Sequence, residues 1–285
     1  MIRILYMSDL HLEMDRFRFA IPGWARFRTR HSAFPAQPRS GPLLHDLPAV
    51  DLIVLAGDIH GGVRGIEYAE QVAKFLQAPA IYVAGNHEFY QHDIAHLVPA
   101  LRRAAARTHG RVHFLEITVA SFSFSGHRLN VLGCTLWTDY ALHGDVAAAM
   151  AAAARRLNDH AMIHGAEGRL APAEVLALHR DSRHWLHATL AHLRQTQPHA
   201  KNLVVTHHAP SPSFLGARTG AIGPAYASNM LAEFAPYVPT AWIHGHTHFR
   251  HESIEETIRL ASAPRGYLLY DGMAAQTYRP GVLEI

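Results

Sequence analysis

The sequence predicts an α/β fold with a sheet core. Short apolar runs bounded by turn residues are typical of buried strands, and helical patterns lie between them. Alternation of strands with helices is typical of this fold class. The chain has 285 residues, of which 49% are hydrophobic, and this is enough to enclose a full core.

Apolar runs predict strands at residues 2–7, 52–56, 80–84, 129–133, 203–206 and 241–244. Helical patterns cover residues 65–76, 93–107, 145–157 and 173–195, and the last of them begins just after Pro172, a residue that favours helix starts. From 111 to 137, and again from 259 to 285, strand candidates follow one another without helices. These two regions predict a second, more antiparallel sheet.

We expect a single domain over residues 1–285 with one insertion. Residues 15–48 are rich in proline, arginine and aromatic side chains and show no sustained period. Such a stretch is a long loop, either a surface excursion without function or a lid over an active site.

The composition excludes several classes of protein. The formal charge of +3 comes from interspersed acidic and basic residues, without the continuous basic face of a nucleic-acid-binding protein. The single cysteine, Cys134, excludes an internal disulfide framework and is expected to pack rather than react. No apolar run reaches the roughly 18 residues of a membrane span, and the opening MIRILYMSDLH lacks the features of a signal peptide. We expect a cytoplasmic protein without a membrane partner.

Five predicted strands end in side chains that can bind metal ions. These are Asp9 and His11, Asp58 and His60, Asn86 and His87, His207 and His208, and His246 and His248. In an open α/β sheet the carboxyl ends of the strands are where ligands gather, so these side chains are expected to meet. A chain with 24 histidines produces single pairs of this kind by chance, but not five at successive strand ends.

The ligand types indicate two transition-metal ions. Neutral imidazoles and carboxylates suit Mn²⁺ foremost, or Fe²⁺, Zn²⁺, Co²⁺ or Ni²⁺, whereas Ca²⁺ and Mg²⁺ prefer sites made almost entirely of oxygen. The candidate ligands are too many for one ion. A carboxylate can bridge two ions about 3.5–4 Å apart, and such a pair is suited to hydrolysing phosphate esters.

Five short segments, in this order, resemble the motifs of the calcineurin-like metallophosphoesterase superfamily. They are Asp9-x-His11, Gly57-Asp58, Gly85-Asn86-His87-Glu88, His207 and Gly245-His246-Thr247-His248. They extend over nearly the whole chain. The resemblance implies a four-layer fold in which two mixed β-sheets pack as a sandwich flanked by α-helices, with a dinuclear metal centre at one end of the sheets.

The resemblance also implies a role for each residue. The ligands of the first metal would be Asp9, His11 and His248, and those of the second Asn86, His207 and His246. Asp58 would bridge the two ions, and a metal-bound hydroxide would attack phosphorus. His87 would contact the phosphate and protonate the leaving group.

One departure from the family leaves the partner of His87 open. In the protein-phosphatase branch an acidic residue shortly after the bridging aspartate supports this histidine. Here Gly61 and Gly62 stand in that neighbourhood, and Glu88 is one possible substitute. The departure argues against that branch and favours hydrolysis of phosphodiesters, or of both monoesters and diesters.

Several residues are weaker candidates, and each has an ordinary structural alternative. Substrate contacts are predicted for His60, Arg218, Tyr226 and Arg265, with Phe214 as part of a substrate wall. His208 is expected to point away from the ligand side of its strand, and His244 to be buried. The histidines of the long helix, at 179, 184, 187 and 192, predict a solvated face.

Two alternatives to a small-molecule phosphoesterase stay open. A nuclease of the same superfamily is kept open by the arginine-rich insertion, although nucleic acid is disfavoured as a partner because a basic stripe is absent from the sequence. A non-catalytic scaffold of the same fold could lose ligands freely, and this chain has lost none. The favoured partner is therefore a small phosphate ester.

Overall fold

A computed structural model describes residues 1–14, 49–216, 218–267, 271 and 278–285. Within these residues two β-sheets face each other, and helices pack on their outer faces. The α/β sandwich expected from the sequence is confirmed. The predicted insertion at 15–48 lies outside the described residues.

The first sheet is mostly parallel. Its strands are β1 (Arg3–Met7), β2 (Leu52–Ala56), β3 (Ala80–Val83), β4 (Val112–Phe114) and β13 (Gly281–Glu284), in the order β13-β1-β2-β3-β4. Strands β1 to β4 are parallel, and β13 is antiparallel to β1. The assignment of regions 111–137 and 259–285 to a second sheet was wrong for β4 and for β13, which both belong to the first sheet. A helix connects β3 to β4, and such a crossover returns the chain to the same sheet in the parallel direction.

The second sheet is mixed. Its strands are β5 (Thr118–Phe124), β6 (His127–Cys134), β9 (Lys201–Thr206), β10 (Ala241–His244), β11 (His251–Glu255) and β12 (Ile258–Ser262), in the order β11-β12-β10-β9-β6-β5. Its four inner strands are parallel, and the edge strands β5 and β11 are antiparallel to their neighbours. A separate small hairpin consists of β7 (His164–Gly165) and β8 (Gly168–Arg169).

Four helices begin close to where the sequence predicts. They are α1 (Arg64–Leu76), α2 (Ile94–Ala106), α3 (Val146–Arg156) and α5 (Pro172–Thr196). Two short helices were not predicted, α4 (Asp159–Met162) and α6 (Leu231–Phe234). Asp93 and Asp145 cap α2 and α3 by accepting hydrogen bonds from backbone N–H groups of the first turn. In the part of the chain that the structure describes, none of the helices is both long and apolar enough to cross a membrane.

Alternate residues of the buried strands face two different cores. In β2, Leu52 and Val54 belong to the core between the sheets, whereas Ile53 and Leu55 belong to the core beneath α1 and α2. A third core lies between the outer face of the second sheet and α5, and contains Trp242. Because both faces of these strands are covered, polar side chains emerge at the strand ends, and this arrangement positions the site described below.

Two single-residue expectations had different outcomes. Cys134 is buried in the core beneath α5, and burial raises the pKa of its thiol well above the usual range, so it packs as expected. The solvated face predicted for the histidines of α5 was wrong for His179. This residue is buried, and its Nδ1 lies 3.2 Å from the carbonyl oxygen of Leu136.

Glu116 is a half-buried carboxyl group that affects stability in a pH-dependent way. Its Oε2 accepts hydrogen bonds from the backbone N–H of Thr135 at 3.0 Å and from the Thr135 hydroxyl at 2.7 Å. Burial raises the pKa of Glu116 to about 7, although the Thr135 hydrogen bonds oppose this shift. The folded state therefore holds this proton more tightly than the unfolded state. The contribution of Glu116 to the unfolding free energy is greatest below its unfolded pKa of about 4.3 and is lost as the pH rises to 7.

Glu116→Gln is therefore expected to stabilise the protein relative to wild type at neutral pH, because glutamine resembles the protonated carboxyl group. The difference between the unfolding free energies of the variant and of wild type should increase by about 1–3 kcal/mol, in favour of the variant, between about pH 4.5 and pH 7.5. Urea denaturation at a series of pH values measures this difference. Glu67→Gln, which removes an exposed carboxylate from α1, is the control for the loss of one negative charge. Parallel stability curves for Glu116→Gln and wild type would contradict the assignment.

Candidate metal centre

The carboxyl ends of β1, β2, β3, β9 and β10 meet at one end of the sandwich. Among the described residues, three groups of histidines and carboxylates could hold a metal ion, each with ligand atoms within 4.8 Å of one another. The groups are Asp9 with His11 and His248, His11 with Asp58 and His87, and Asp58 with His207 and His246. Because Asp58 and His11 each belong to two groups, the three groups form one continuous centre.

Short contacts connect the two sheets across this centre. Asp58 Oδ2 lies 3.4 Å from His207 Nε2, and Asp9 Oδ1 lies 3.5 Å from His248 Nε2. The side-chain amide oxygen of Asn86, Oδ1, lies 3.1 Å from His207 Nε2. Since β1, β2 and β3 belong to the first sheet and β9 and β10 to the second, the sandwich brings all seven predicted metal ligands together.

The backbone at the centre is strained. Positive φ angles occur at five of the seven predicted ligands, Asp9 (52°), His11 (46°), Asp58 (55°), His246 (70°) and His248 (53°). For residues other than glycine this conformation costs about 1–3 kcal/mol each, and such strain clusters at functional sites. The strain is thus concentrated at the ligand positions of this centre.

Two glycines allow the chain segments to approach each other here. A Cβ at Gly85 would collide with Asp58 Oδ1, and a Cβ at Gly245 would lie 2.7 Å from Asp9 Oδ2. These contacts explain why glycine precedes Asn86 in the third motif and His246 in the last.

Hydrogen bonds from outside the centre orient its ligands. His207 Nδ1 lies 2.9 Å from the carbonyl oxygen of Ala56, and His248 Nδ1 lies 3.1 Å from Asp271 Oδ2, so in both rings Nε2 faces the centre. The side-chain amide nitrogen of Asn86, Nδ2, donates to Asp159 Oδ1 at 2.8 Å. This hydrogen bond turns the side-chain oxygen of Asn86 toward His207. Partners of this kind hold metal ligands in a productive orientation.

Glu88 is not the partner of His87. It is fully buried, and its two carboxylate oxygens accept hydrogen bonds from the backbone N–H groups of Asp58, Ile59 and Gly85 and from the Tyr82 hydroxyl. Burial raises the pKa of Glu88 to about 7. The Glu88 side chain connects the turn that follows β2 to the turn that follows β3 through these hydrogen bonds, so its role is structural.

Glu13 faces His87 instead. Glu13 Oε1 lies 3.2 Å from His87 Nδ1, and the Glu13 side chain is 25% exposed. Burial disfavours the charged imidazolium of His87, but the Asp58 and Glu13 carboxylates outweigh this and raise the pKa of His87 to about 9. The ring is further held by Tyr90, which stacks on it at a centroid distance of 4.2 Å. His87 therefore carries a proton at neutral pH.

The side chains present fit divalent metal ions. His246 Nε2 is buried and has no hydrogen-bond partner among the described residues. His11 Nε2 and His248 Nε2 lie 3.0 Å apart, and each offers a lone pair to a cation when the ring proton is on Nδ1. Despite burial, Asp58 raises the pKa of His207 to about 10, so a proton on His207 takes the place of a cation beside this carboxylate. Imidazole, carboxylate and amide oxygen donors together suit borderline transition metals.

Comparison with known proteins identifies the family. A family model described as calcineurin-like phosphoesterase matches residues 2–250, a range that contains all seven predicted ligands. The chain belongs to the calcineurin-like phosphoesterase family. It is accordingly a metal-dependent phosphoric ester hydrolase. No curated protein gave a significant match to the sequence.

Solved structures support the fold of this phosphoesterase. A phosphopantetheinyl hydrolase from Mycobacterium tuberculosis is similar with a TM-score of 0.62 and 18% sequence identity, over 93% of this chain and 89% of that chain. A putative 5′-nucleotidase from Staphylococcus aureus is similar with a TM-score of 0.50 and 15% identity, over 92% of this chain and 48% of that chain. The phosphoesterase thus spans about half the length of the nucleotidase chain.

Two of the predicted substrate contacts border the centre. The guanidinium carbon of Arg218 lies 5.3 Å from the centre of the Tyr226 ring, and this ring lies 4.9 Å from the ring of His246. His60 is half-buried, its Nδ1 lies 3.0 Å from the carbonyl oxygen of Gly61, and it belongs to none of the three groups found among the described residues.

Arg265 and Phe214 are buried. Arg265 is 5% exposed, and its guanidinium donates to the carbonyl oxygen of Leu10 at 2.8 Å, so it connects the segment after β12 to the loop that carries Asp9 and His11. Phe214 is fully buried against His244 and so cannot form a substrate wall. The burial expected for His244 is confirmed.

His208 lies closer to the centre than predicted. Its ring packs at a centroid distance of 4.0 Å from that of His246, and its Nδ1 lies 3.3 Å from the carbonyl oxygen of Thr135. It belongs to none of the three groups that could hold a metal among the described residues. It therefore packs against the predicted ligand His246 from outside the three groups.

The sequence did not point to four further residues of the site, Glu13, Asp159, Tyr267 and Asp271. Glu13 continues the alternation Asp9-x-His11-x-Glu13, and this spacing could have drawn attention to it. The other three lie in or beside loops without a motif, and only the folded chain brings them to Asn86, His87 and His248.

Proposed function

We propose that this phosphoesterase hydrolyses phosphodiesters, or both phosphodiesters and monoesters, with two divalent metal ions. The observation that carries the proposal is the position of Asp58, which belongs to two adjoining groups of potential ligands. Asp58 would bridge the ions, with Asp9, His11 and His248 on the first ion and Asn86, His207 and His246 on the second. The oligomeric state plays no part in this proposal.

The donor set favours Mn²⁺ as the ion, with Fe²⁺, Zn²⁺, Co²⁺ and Ni²⁺ as other ions that the same ligands accept. When bound, such a pair supplies the polarisation of the ester phosphate and the lowered pKa of a water molecule that hydrolysis requires. Asn86 contributes a neutral oxygen, so it adds a ligand without adding negative charge where an anionic phosphate must approach.

His87 would supply the proton for the leaving group. Glu13 faces Nδ1 of His87, so the other ring nitrogen, Nε2, is directed away from Glu13. His87 Nε2 lies 4.0 Å from Asp58 Oδ2. Despite burial, the Asp58 and Glu13 carboxylates raise the pKa of His87 to about 9 in the metal-free chain, and Glu13, which is outside the proposed ligand set, favours the protonated imidazole. It is therefore suited to act as a general acid.

Arg218 and Tyr226 would contact the substrate on the side of His246. A guanidinium group binds phosphate oxygens in a bidentate manner, and the Tyr226 ring offers an apolar surface to the alcohol portion of the ester. His60 stays a weaker candidate for phosphate contact. The similar solved chains are described as a phosphopantetheinyl hydrolase and a putative 5′-nucleotidase, which favours a small phosphate ester over nucleic acid. A cytoplasmic location stays a prediction from the sequence.

The test combines metal analysis with turnover of a chromogenic diester and the matching monoester. After reconstitution with Mn²⁺ and removal of free ion, the wild-type chain is expected to retain two ions and to hydrolyse bis(p-nitrophenyl) phosphate. Protein treated with a chelator should be inactive and should recover when Mn²⁺ is restored. Fewer than two ions per chain together with no turnover of either ester would refute the dinuclear enzyme. Faster cleavage of single-stranded or duplex DNA than of the small esters would favour the nuclease.

A further inference from the structure

The segment that follows β12 is fastened to the loop that carries Asp9 and His11. Ser8 and Pro264 form a parallel bridge, the backbone N–H of Arg265 donates to the Ser8 carbonyl oxygen at 3.1 Å, and that of Gly266 donates to the Asp9 carbonyl oxygen at 3.0 Å. These backbone hydrogen bonds connect the two sheets, and they fix the position of the next residue, Tyr267.

The ring of Tyr267 packs on the predicted metal ligands. It stacks on His11 at a centroid distance of 4.3 Å and an interplanar angle of 30°, and it meets His248 edge-on at 4.7 Å. Its backbone N–H donates to Asp271 Oδ2 at 2.6 Å, the same oxygen that lies 3.1 Å from His248 Nδ1. The ring position is therefore fixed from both sides.

The hydroxyl of Tyr267 lies 3.0 Å from His87 Nε2. Glu13 faces the other ring nitrogen of His87, so Nε2 is the nitrogen from which a proton must leave. A protonated Nε2 donates its hydrogen bond to the Tyr267 oxygen, and the hydroxyl hydrogen of Tyr267 is then directed to another acceptor. The Tyr267 hydroxyl therefore lies where it can accept the proton that leaves His87 Nε2.

We propose that Tyr267 is a catalytic residue that touches the leaving oxygen of the ester and passes it the proton of His87. The inference rests on the phosphoesterase activity proposed above. Water is the other reactant of the hydrolysis: its oxygen forms a new bond to phosphorus, and one of its protons passes to solvent. The bond between phosphorus and the leaving oxygen breaks, and its electron pair stays on that oxygen. The phenol proton moves to the leaving oxygen as the Nε2 proton moves to the phenol oxygen. Tyr267 ends as a phenol and His87 as a neutral imidazole, which regains its proton from solvent.

The alternative is that Tyr267 only packs on His11 and His248. Tyr267→Phe distinguishes the two roles, because it keeps the ring and removes the hydroxyl. The matched control is Tyr237→Phe, since the Tyr237 hydroxyl also lies 3.3 Å from a histidine nitrogen, that of His187, outside the metal centre.

The experiment uses metal-reconstituted protein and a series of aryl methyl phosphates whose leaving phenols range from p-nitrophenol to phenol. Tyr267→Phe is expected to retain the wild-type metal content and to lose about 10- to 100-fold in kcat with the phenol ester. With the p-nitrophenol ester, whose leaving group needs no proton, kcat should change little. Tyr237→Phe should match wild type with every ester.

Two further measurements separate a relay from a packing role. Once His87 has been replaced by alanine, the additional change Tyr267→Phe should have little effect, because both residues act on one proton. In metal-free protein, the His87 Nε2 resonance in ¹⁵N NMR spectra should shift in Tyr267→Phe and not in Tyr237→Phe. Equal losses for all leaving groups, a lower metal content, additive effects with His87→Ala or an unshifted resonance would each overturn the relay. Inactivity of the wild type with every ester would instead refute the proposed function.

Discussion

Replacement of Asp58 by alanine is expected to abolish hydrolysis and to lower the metal content of the protein. Asp58 Oδ2 lies 3.4 Å from His207 Nε2 and 3.9 Å from His11 Nε2, so its carboxylate adjoins predicted ligands of both metal positions. Loss of residues that merely orient a metal ligand costs about 10- to 100-fold in affinity or activity, and loss of a bridging ligand should exceed about 100-fold. Metal analysis after reconstitution, titration with Mn²⁺ and initial rates with bis(p-nitrophenyl) phosphate measure the effect.

Asp58→Asn separates the charge of this side chain from its hydrogen bond. Asp58 Oδ1 accepts a hydrogen bond from the backbone N–H of His87 at 2.8 Å, and asparagine keeps an oxygen there while it loses the charge. We expect the asparagine variant to bind metal more weakly than wild type and more tightly than Asp58→Ala. Asp181→Ala, which removes a carboxylate from the exposed face of α5, is the control for a change of net charge. Wild-type affinity for two ions in Asp58→Ala would refute the bridging role.

The strands and the location of the candidate ligands at one end of the sandwich could be predicted from the sequence for the same physical reason. The inner strands are covered on both faces, so β2 and β10 appear as continuous apolar runs, and the predicted ranges 52–56 and 241–244 coincide with them. A polar residue immediately after such a run has to lie at the edge of the sheet. The positions of Asp58 and His246 at one end of the sandwich follow from this rule together with the parallel direction of the strands.

The partners of the ligands could not be predicted, because they depend on contacts between loops that are distant in sequence. Glu13 reaches His87 across 74 residues, and Asp159 reaches Asn86 across 73. Glu13 lies in a turn, and Asp159 begins α4, a helix too short to show a period that would indicate the direction of the side chain. Burial of His179 likewise depends on the loop at Leu136, which the pattern of α5 does not reveal.

The misplacement of β4 has a related origin. A strand of three residues, Val112–Phe114, does not show by its composition which sheet it joins. The helical connection before it determines the outcome, since a strand that follows a crossover helix returns parallel to the sheet it left. The strands that come next, β5 and β6, follow by short turns and pass to the second sheet.

Replacement of His87 by alanine is expected to slow hydrolysis in proportion to how much the leaving group needs a proton. Loss of a general acid costs about 10²- to 10⁴-fold, and this loss should appear with phenyl or alkyl esters. A p-nitrophenyl ester should lose far less, because p-nitrophenolate leaves without being protonated. Rates for both classes of ester, measured with equal metal content, give the comparison.

Two further variants test the same assignment. Glu13→Gln removes the carboxylate that faces His87 Nδ1, so it should reproduce the leaving-group pattern with a smaller loss. His192→Ala on the exposed face of α5 should leave all rates unchanged. His87 also belongs to one of the groups that could hold a metal, together with His11 and Asp58. A lower metal content in His87→Ala would therefore make His87 a ligand, whereas full metal content with a loss confined to poor leaving groups would make it the acid.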